Sequence, residues 1–379
     1  MTTADDAVRH AVAAVIDPEL RRPLGELDMI RGVSVTGTHA RVEVALTIVG
    51  CPAADRIERD VRAAAGVPGI ETVEVALGVM TPAERAALTE RLRGGRAVRE
   101  MPFGPASLTR VLAVTSGKGG VGKSTLTANL AVALAARGLA VGLIDADLHG
   151  FSIPALLGLV DAEGRPPQPT RIDDLMLPPV AYDVKTISIG MFLPRDAAPG
   201  AVAWRGPMLH RTVNQFLTDV FFGDLDILLL DMPPGTGDVA ISVGQLLPHA
   251  EVLVVTTPQA AASDVAVRSG LVARQTGQRV VGVVENMAAL TLPDGSRLEL
   301  FGSGGGEAVA AALATDAETV PLLGSVPLSP ALRAGGDAGC PVVVSDPDDP
   351  AAREIARIAA SIATTPRGLV GRALPVAPR

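Results

Sequence analysis

Apolar residues fall along this chain in two rhythms. Up to residue 93 they alternate or recur at helical spacing. "DDAVRHAVAAVID" carries the spacing of a helix that ends before Pro18, and "PAADRIERDVRAAAG" carries it up to Gly66. "VSVTG", "HARVEVALTIVG" and "IETVEVALGV" alternate apolar and polar side chains, as half-buried strands do. Thr81 and Glu84 have the spacing of a capping box at the head of "TPAERAALTERLR", with Pro82 at the first helical position. The predicted order is helix, strand, strand, helix, strand, helix.

From residue 110 the rhythm changes to apolar runs bounded by turns: "VLAVTS", "LAVGLIDAD", "VKTISIGM", "LDILLLDMPPG", "EVLVVTTP", "RVVGVVENM" and "VPLLGSVP". Between them residues 122–137 and 263–275 read as helices, the second capped by Ser263, and "PAAREIARIAASIAT" reads as the last helix. Such alternation predicts an α/β fold with a mostly parallel sheet flanked by helices, preceded by a small α/β domain. The boundaries that follow are 1–93 for the small domain, 94–109 for a Gly/Pro/Arg-bearing linker, 110–365 for the large domain and 366–379 for a flexible tail.

Composition sharpens this. Of 379 residues, 48% are hydrophobic but only 2% aromatic, so the core must be built from Ala, Val, Leu and Ile. A net charge of −8 argues against nucleic acid and anionic membrane surfaces as general partners. The basic end "PRGLVGRALPVAPR" has too many prolines and glycines for an amphipathic anchor. Two cysteines, Cys51 and Cys340, exclude a disulfide framework. The N-terminus lacks a signal peptide's apolar core, and no apolar run reaches the ~18 residues of a membrane span. These features together predict a cytoplasmic protein without stable membrane association.

"VTSGKGGVGKST" holds the pattern G-x-x-x-x-G-K-[ST] as Gly117 to Ser124, between a predicted strand and a predicted helix, the context a phosphate loop requires. Gly117, Gly119, Gly120 and Gly122 let backbone N–H groups close on phosphate oxygens, and the helix N-terminus adds its dipole. Lys123 then reaches the β and γ phosphates and the Ser124 hydroxyl binds Mg²⁺. Val121 and Thr125 complete the nucleotide-binding stretch. Asp231, at the end of "LDILLLD", supplies the acid that a nucleotide triphosphatase places on its metal. "DMPPGTGD" has the composition of a loop able to follow the γ phosphate. Asp145 and Asp147 end "LAVGLIDAD"; a carboxylate there orients the attacking water or holds Mg²⁺ through water, with Asp147 preferred for the water and Asp145 for the metal's outer shell, against simple capping roles.

These residues carry a resemblance. "GKGGVGKST" resembles the deviant Walker A loop of the dimeric ATPases that include MinD, ParA and the nitrogenase iron protein. "DADLHGFSIPALLG", "WRGPM", "DMPPGTGD", "VVENM" and "FGSGGG" are similar to the Mrp/ApbC family of iron–sulfur cluster carrier ATPases, over residues 107–360. The resemblance implies ATP and Mg²⁺ as cofactors, a homodimer, and apo iron–sulfur proteins or assembly factors as partners. It implies that Lys118 acts in trans on the partner's nucleotide, the alternative being a solvated loop lysine. It also implies that Asn286 hydrogen-bonds adenine, the alternative being a turn asparagine, and more weakly that Pro327 walls the base. Arg205 is either a contact to the partner subunit or phosphate or a structural arginine.

The front domain resembles the short iron–sulfur assembly domain often fused ahead of such ATPases, through Asp17, Pro18, Glu19, Cys51 and Pro52. Cys51 lies before a predicted helix start, where a dipole would lower its thiol pKa. It is a candidate iron–sulfur ligand or reactive thiol, with a buried inert cysteine as the alternative; Cys340 reads as structural. Many Mrp/ApbC proteins carry a C-x-x-C pair between the "ENM" and "FG" stretches. Here "ENMAALTLPDGSRLELFG" has none, and Pro293, Asp294 and Gly295 signal a hairpin instead. Asp294 or Glu299 would be poor substitutes for sulfur on iron. Two other readings therefore stand beside a cluster carrier: a nucleotide-switched regulator in the manner of MinD or ParA, and an ATP-dependent partner chaperone without its own cluster.

Overall fold

The computed structural model describes residues 3–48, 51–94, 101–147, 150–193, 206–292 and 294–364, with the side chains of residues 206 and 207 excepted. Trp204, Arg205, Pro293, residues 95–100 of the expected linker and the expected tail lie outside the described residues. The chain divides into two compact units. One comprises residues 1–100 together with 169–180 and 219–223; the other comprises 101–168, 181–218 and 224–379.

The small unit has the predicted order: Ala4–Ala13, Ile30–Thr36, His39–Leu46, Ala54–Ala65, Thr72–Val79 and Pro82–Arg93. Its first helix stops at Ala13 rather than running to Pro18. Beyond it the Asp17 carboxylate accepts the amides of Glu19 (2.9 Å) and Leu20 (2.7 Å), a local turn that competes with helix. The middle strand pairs antiparallel with the first and parallel with the third. Its alternation buries Ala40, Val42 and Val44 against Ile57 and Val61 of the second helix. At the last helix Thr81 accepts the Glu84 amide while Glu84 accepts the Thr81 amide at 2.6 Å, the predicted capping box.

In the large unit seven strands pair in parallel, in the order Leu322–Pro327, Arg279–Ala288, Glu251–Thr256, Arg110–Ser116, Ile227–Asp231, Val141–Asp145 and Val184–Ser188. Strand Arg110–Ser116 sits mid-sheet because its residues are apolar on both faces, as helices on both sides require. Helix Lys123–Ala135 is buried almost all round, and Ile355, Ile358 and Ile362 of Pro350–Thr364 share its core with Leu130, Leu134 and Leu143. One predicted helix start is corrected. The helix runs Ala260–Gln275 with Gln259 at the N-cap, so Ser263 lies in its first turn, where its hydroxyl reaches the Gly305 carbonyl at 3.1 Å. The hairpin signal holds: Leu290–Thr291 pairs antiparallel with Arg297–Leu298, and Leu292 N–H bonds the Ser296 carbonyl at 2.8 Å.

Replacing Thr81 by Ala removes one half of the capping box. Helix Pro82–Arg93 should then lose about 1 kcal/mol of stability, read as faster amide hydrogen exchange in that helix. Unchanged exchange would show that packing alone holds it.

Candidate functional site: a phosphate loop at the carboxyl ends of parallel strands

Parallel strands all present their carboxyl ends at one edge of the sheet, which is where open α/β folds bind ligands. Strand Arg110–Ser116 runs into the loop 117–122, and helix Lys123–Ala135 follows at once. Two glycines make this turn possible. A Cβ on Gly117 would lie 2.1 Å from the Val265 carbonyl carbon. Gly122 is left-handed (φ +76°), and a Cβ there would meet the Asn286 amide nitrogen at 2.3 Å. Asn286 is buried, and its Nδ2 donates to the Val121 carbonyl at 2.9 Å. The asparagine therefore braces the loop from the end of its own strand.

The register of the sheet brings the acids to the loop. Asp231 pairs with Val114 on one side and Asp145 on the other, so both carboxylates end neighbouring strands. Lys123 Nζ lies 2.7 Å from Asp231 Oδ1, with the two side chains 6% and 0% exposed. The Ser124 hydroxyl donates to Asp231 Oδ2 at 2.5 Å and accepts from Lys123 Nζ at 3.1 Å. The hydroxyl of Thr127, one helical turn after Lys123, lies 2.9 Å from Asp231 Oδ1. Asp145 is fully buried: its Oδ1 accepts the Asp147 amide (3.2 Å), and its Oδ2 accepts the Ser188 hydroxyl (3.1 Å) and the Ile153 amide (3.3 Å). Burial first, and then the charge of Asp231, push its carboxyl up to about 7. Asp147 accepts the Gly150 amide at 3.1 Å. The "DMPPGTGD" loop is tied to the same strand end, with Met232 N–H on the Val114 carbonyl (3.0 Å) and Gly235 N–H on the Ser116 carbonyl (2.8 Å). Lys118 donates to the Gln259 side chain at 3.1 Å.

The structure thus gathers Lys123, Ser124, Asp231 and Asp145 at one end of the sheet, with Asn286 under the loop. Sequence reasoning missed Thr127, Ser188 and Gln259. Thr127 had a signal, since it lies four residues from Lys123 and so on the same helix face; the other two contacts are set by tertiary structure. A hydroxyl and a carboxylate 2.5 Å apart beside a phosphate loop are hard oxygen donors, the set that suits Mg²⁺.

Cys51 belongs to the small unit, one turn ahead of helix Ala54–Ala65, and is 6% exposed. Burial, and then the charge of Glu19 3.6 Å away, push the thiol up to about 12, outweighing the backbone N–H of Ala53 at the helix N-cap, which pulls it down. Burial likewise raises Glu19, whose other oxygen accepts the Thr170 hydroxyl at 2.8 Å. Cys51 and Cys340 are both free thiols. Among the described residues no group of three or more His, Cys, Asp or Glu is placed to hold a metal ion. Nor is any described helix long and apolar enough to cross a membrane.

A glycine loop joining a mid-sheet strand to a helix, a lysine at the helix start and an acid from the adjacent strand define a P-loop NTPase. Residues 107–363 match the NUBPL iron-transfer P-loop NTPase family, and the chain belongs to it. Residues 5–77 match the iron–sulfur cluster assembly protein family. The chain is 54% identical over 378 residues to the iron–sulfur cluster carrier protein of Mycobacterium bovis, with 98% of this chain and 96% of that one covered. It is 41% identical over 361 residues to the protein of that name from Synechocystis, covering 94% and 96%. Among solved structures it is similar to a nucleotide-binding protein from Archaeoglobus fulgidus in complex with ADP. That match has 35% identity and a TM-score of 0.50, and it covers 61% of this chain and 86% of the other.

The raised pKa of Asp145 has a signed consequence. An unfolded carboxyl ionises near pH 4 (~3.9 for Asp), so the native state binds the extra proton between there and about 7. Stability from this group is complete below that window and is lost as pH rises through it. In metal-free protein, the unfolding free energy of wild type minus that of Asp145→Asn should fall from about pH 4 to about pH 7 and then level off. A difference independent of pH would refute this account of the site.

Proposed function

We propose that this chain is an ATP-hydrolysing iron–sulfur cluster carrier that works as a homodimer and passes clusters to apo-proteins. The observation that carries the nucleotide half is the arrangement of Lys123, Ser124 and Asp231 at the end of the phosphate loop. A triphosphate entering the loop competes with Asp231 for the lysine ammonium. With Lys123 turned to the β and γ phosphates, Asp231 and Ser124 would hold Mg²⁺, which would supply neutralisation of phosphate charge. The loop amides and the helix N-terminus bind the remaining phosphate oxygens. Asn286 reads the adenine edge, Asp147 orients the attacking water and Asp145 supports the metal's outer shell. Lys118 leaves Gln259 to reach the partner subunit's nucleotide. The cargo half of the reading is supported by family membership and by the names of the relatives. Cys51 is the thiol considered for holding the cluster.

Lys118→Ala should lower ATP turnover by about 10³-fold, the lower end for a transition-state cation supplied in trans, while nucleotide affinity changes by less than about threefold. Lys123→Ala should lose both. Turnover of Lys118→Ala equal to wild type would remove the trans role.

The cargo is tested by anaerobic reconstitution with iron and sulfide, reading visible absorbance and bound iron per chain for wild type and Cys51→Ala. Cluster held by wild type and lost in Cys51→Ala supports the carrier reading with the front unit as its site. No cluster in either protein would favour a nucleotide-driven chaperone or switch, a reading motivated by the cysteine-free hairpin at residues 290–298.

A further inference from the structure

Residues 169–180 are an excursion. They follow the large unit's chain at 168 and return to it at 181, yet they fold as part of the small unit. Thr170–Ile172 and Leu175–Leu177 make an antiparallel hairpin that turns at Asp173 (φ +53°). Ile172, Leu175 and Leu177 are buried in the same apolar cluster as Cys51. Segment 219–223 lines the hairpin's other edge, with Met176 N–H on the Asp219 carbonyl (2.9 Å) and Phe221 N–H on the Met176 carbonyl (2.8 Å). At the turn Arg93 pairs with Asp174.

One hydrogen bond links this hairpin to the thiol. The Thr170 hydroxyl donates to Glu19 Oε1 at 2.8 Å, and Glu19 Oε2 lies 3.6 Å from Cys51 Sγ. A single half-buried carboxylate is thus held by the hairpin on one side and faces the cysteine on the other. We infer that hairpin 169–180 is a lid over Cys51, with the Thr170–Glu19 hydrogen bond as its latch. The chain order gives the lid its significance. Residues 1–100 supply the thiol and its carboxylate, but the segment that closes over them is anchored at both ends in the polypeptide of the nucleotide-binding unit. Access to the thiol is therefore set by a part of the chain that is not local to it. This inference does not rest on cluster carriage and stands or falls separately from it.

The test uses full-length protein and two readouts. One is the iodoacetamide alkylation rate of Cys51, followed by peptide mapping so that Cys340 is scored apart. The other is amide hydrogen exchange of residues 170–177. Thr170→Val keeps the side-chain volume and removes the latch. Both rates should rise about tenfold, the scale of one hydrogen bond, with exchange in helix Lys123–Ala135 unchanged. Asp174→Ala, which unties the same hairpin at its half-exposed turn, should raise both rates together. The lid is refuted if hairpin exchange quickens while alkylation does not, if neither variant alters either rate, or if wild-type Cys51 already reacts as fast as in denatured protein.

Discussion

The large unit is organised around one buried ion pair. Lys123 and Asp231 come from a helix start and a strand end 108 positions apart in sequence, and they meet at 2.7 Å where solvent is excluded. Such a pair is tolerable only when its remaining hydrogen-bonding capacity is filled. Ser124 and Thr127 fill it on the carboxylate, and Ser124 also accepts from the ammonium. Burial, and then the charge of Asp231 that the sheet register places beside it, drive Asp145 towards its protonated form. In the function proposed above, a triphosphate takes the place of Asp231 as the anion that Lys123 faces. The loop itself needs little rearrangement, since Asn286 already braces Val121.

Much of this was legible from residue order. Apolar runs without alternation gave a parallel sheet because strands covered on both faces have no polar side to show. The loop from Gly117 to Ser124 and the acid at Asp231 could be placed because both lie where such a sheet must end. The capping box at Thr81 and the hairpin at Asp294 and Gly295 were readable because both are local. What escaped was set at longer range. Ser263 resembles a helix cap, but its hydroxyl is taken by Gly305 and the helix begins at Ala260. The thiol of Cys51 was expected to feel a helix dipole; burial and the Glu19 charge outweigh it. Nothing local assigns residues 170–177 to the front unit, because their partners in residues 1–100 lie more than 70 positions away.

The two units treat their polar groups in contrasting ways. Around the phosphate loop, charges are paired through short contacts that a ligand of higher charge can displace. Around Cys51, a carboxylate and a thiol are both held towards their neutral forms by burial. The first arrangement suits a site that exchanges ions with solvent, and the second suits a group kept out of reach until its surroundings change.

The discontinuity of the small unit bears on how the protein is made. Synthesis proceeds from the N-terminus, and a domain encoded by one continuous stretch can close as soon as it emerges. Here residues 1–100 emerge first, but Ile172, Leu175, Leu177 and Phe221 of their apolar cluster are still to be translated. The nascent front unit must wait with part of its core open while the phosphate loop and the next strand are added. It closes only once residue 223 is available. The large sheet waits longer still for its edge strand Leu322–Pro327 and for helix Pro350–Thr364. Neither unit is finished before residue 223 has been translated, so apolar surface of both stays open while the intervening chain is made.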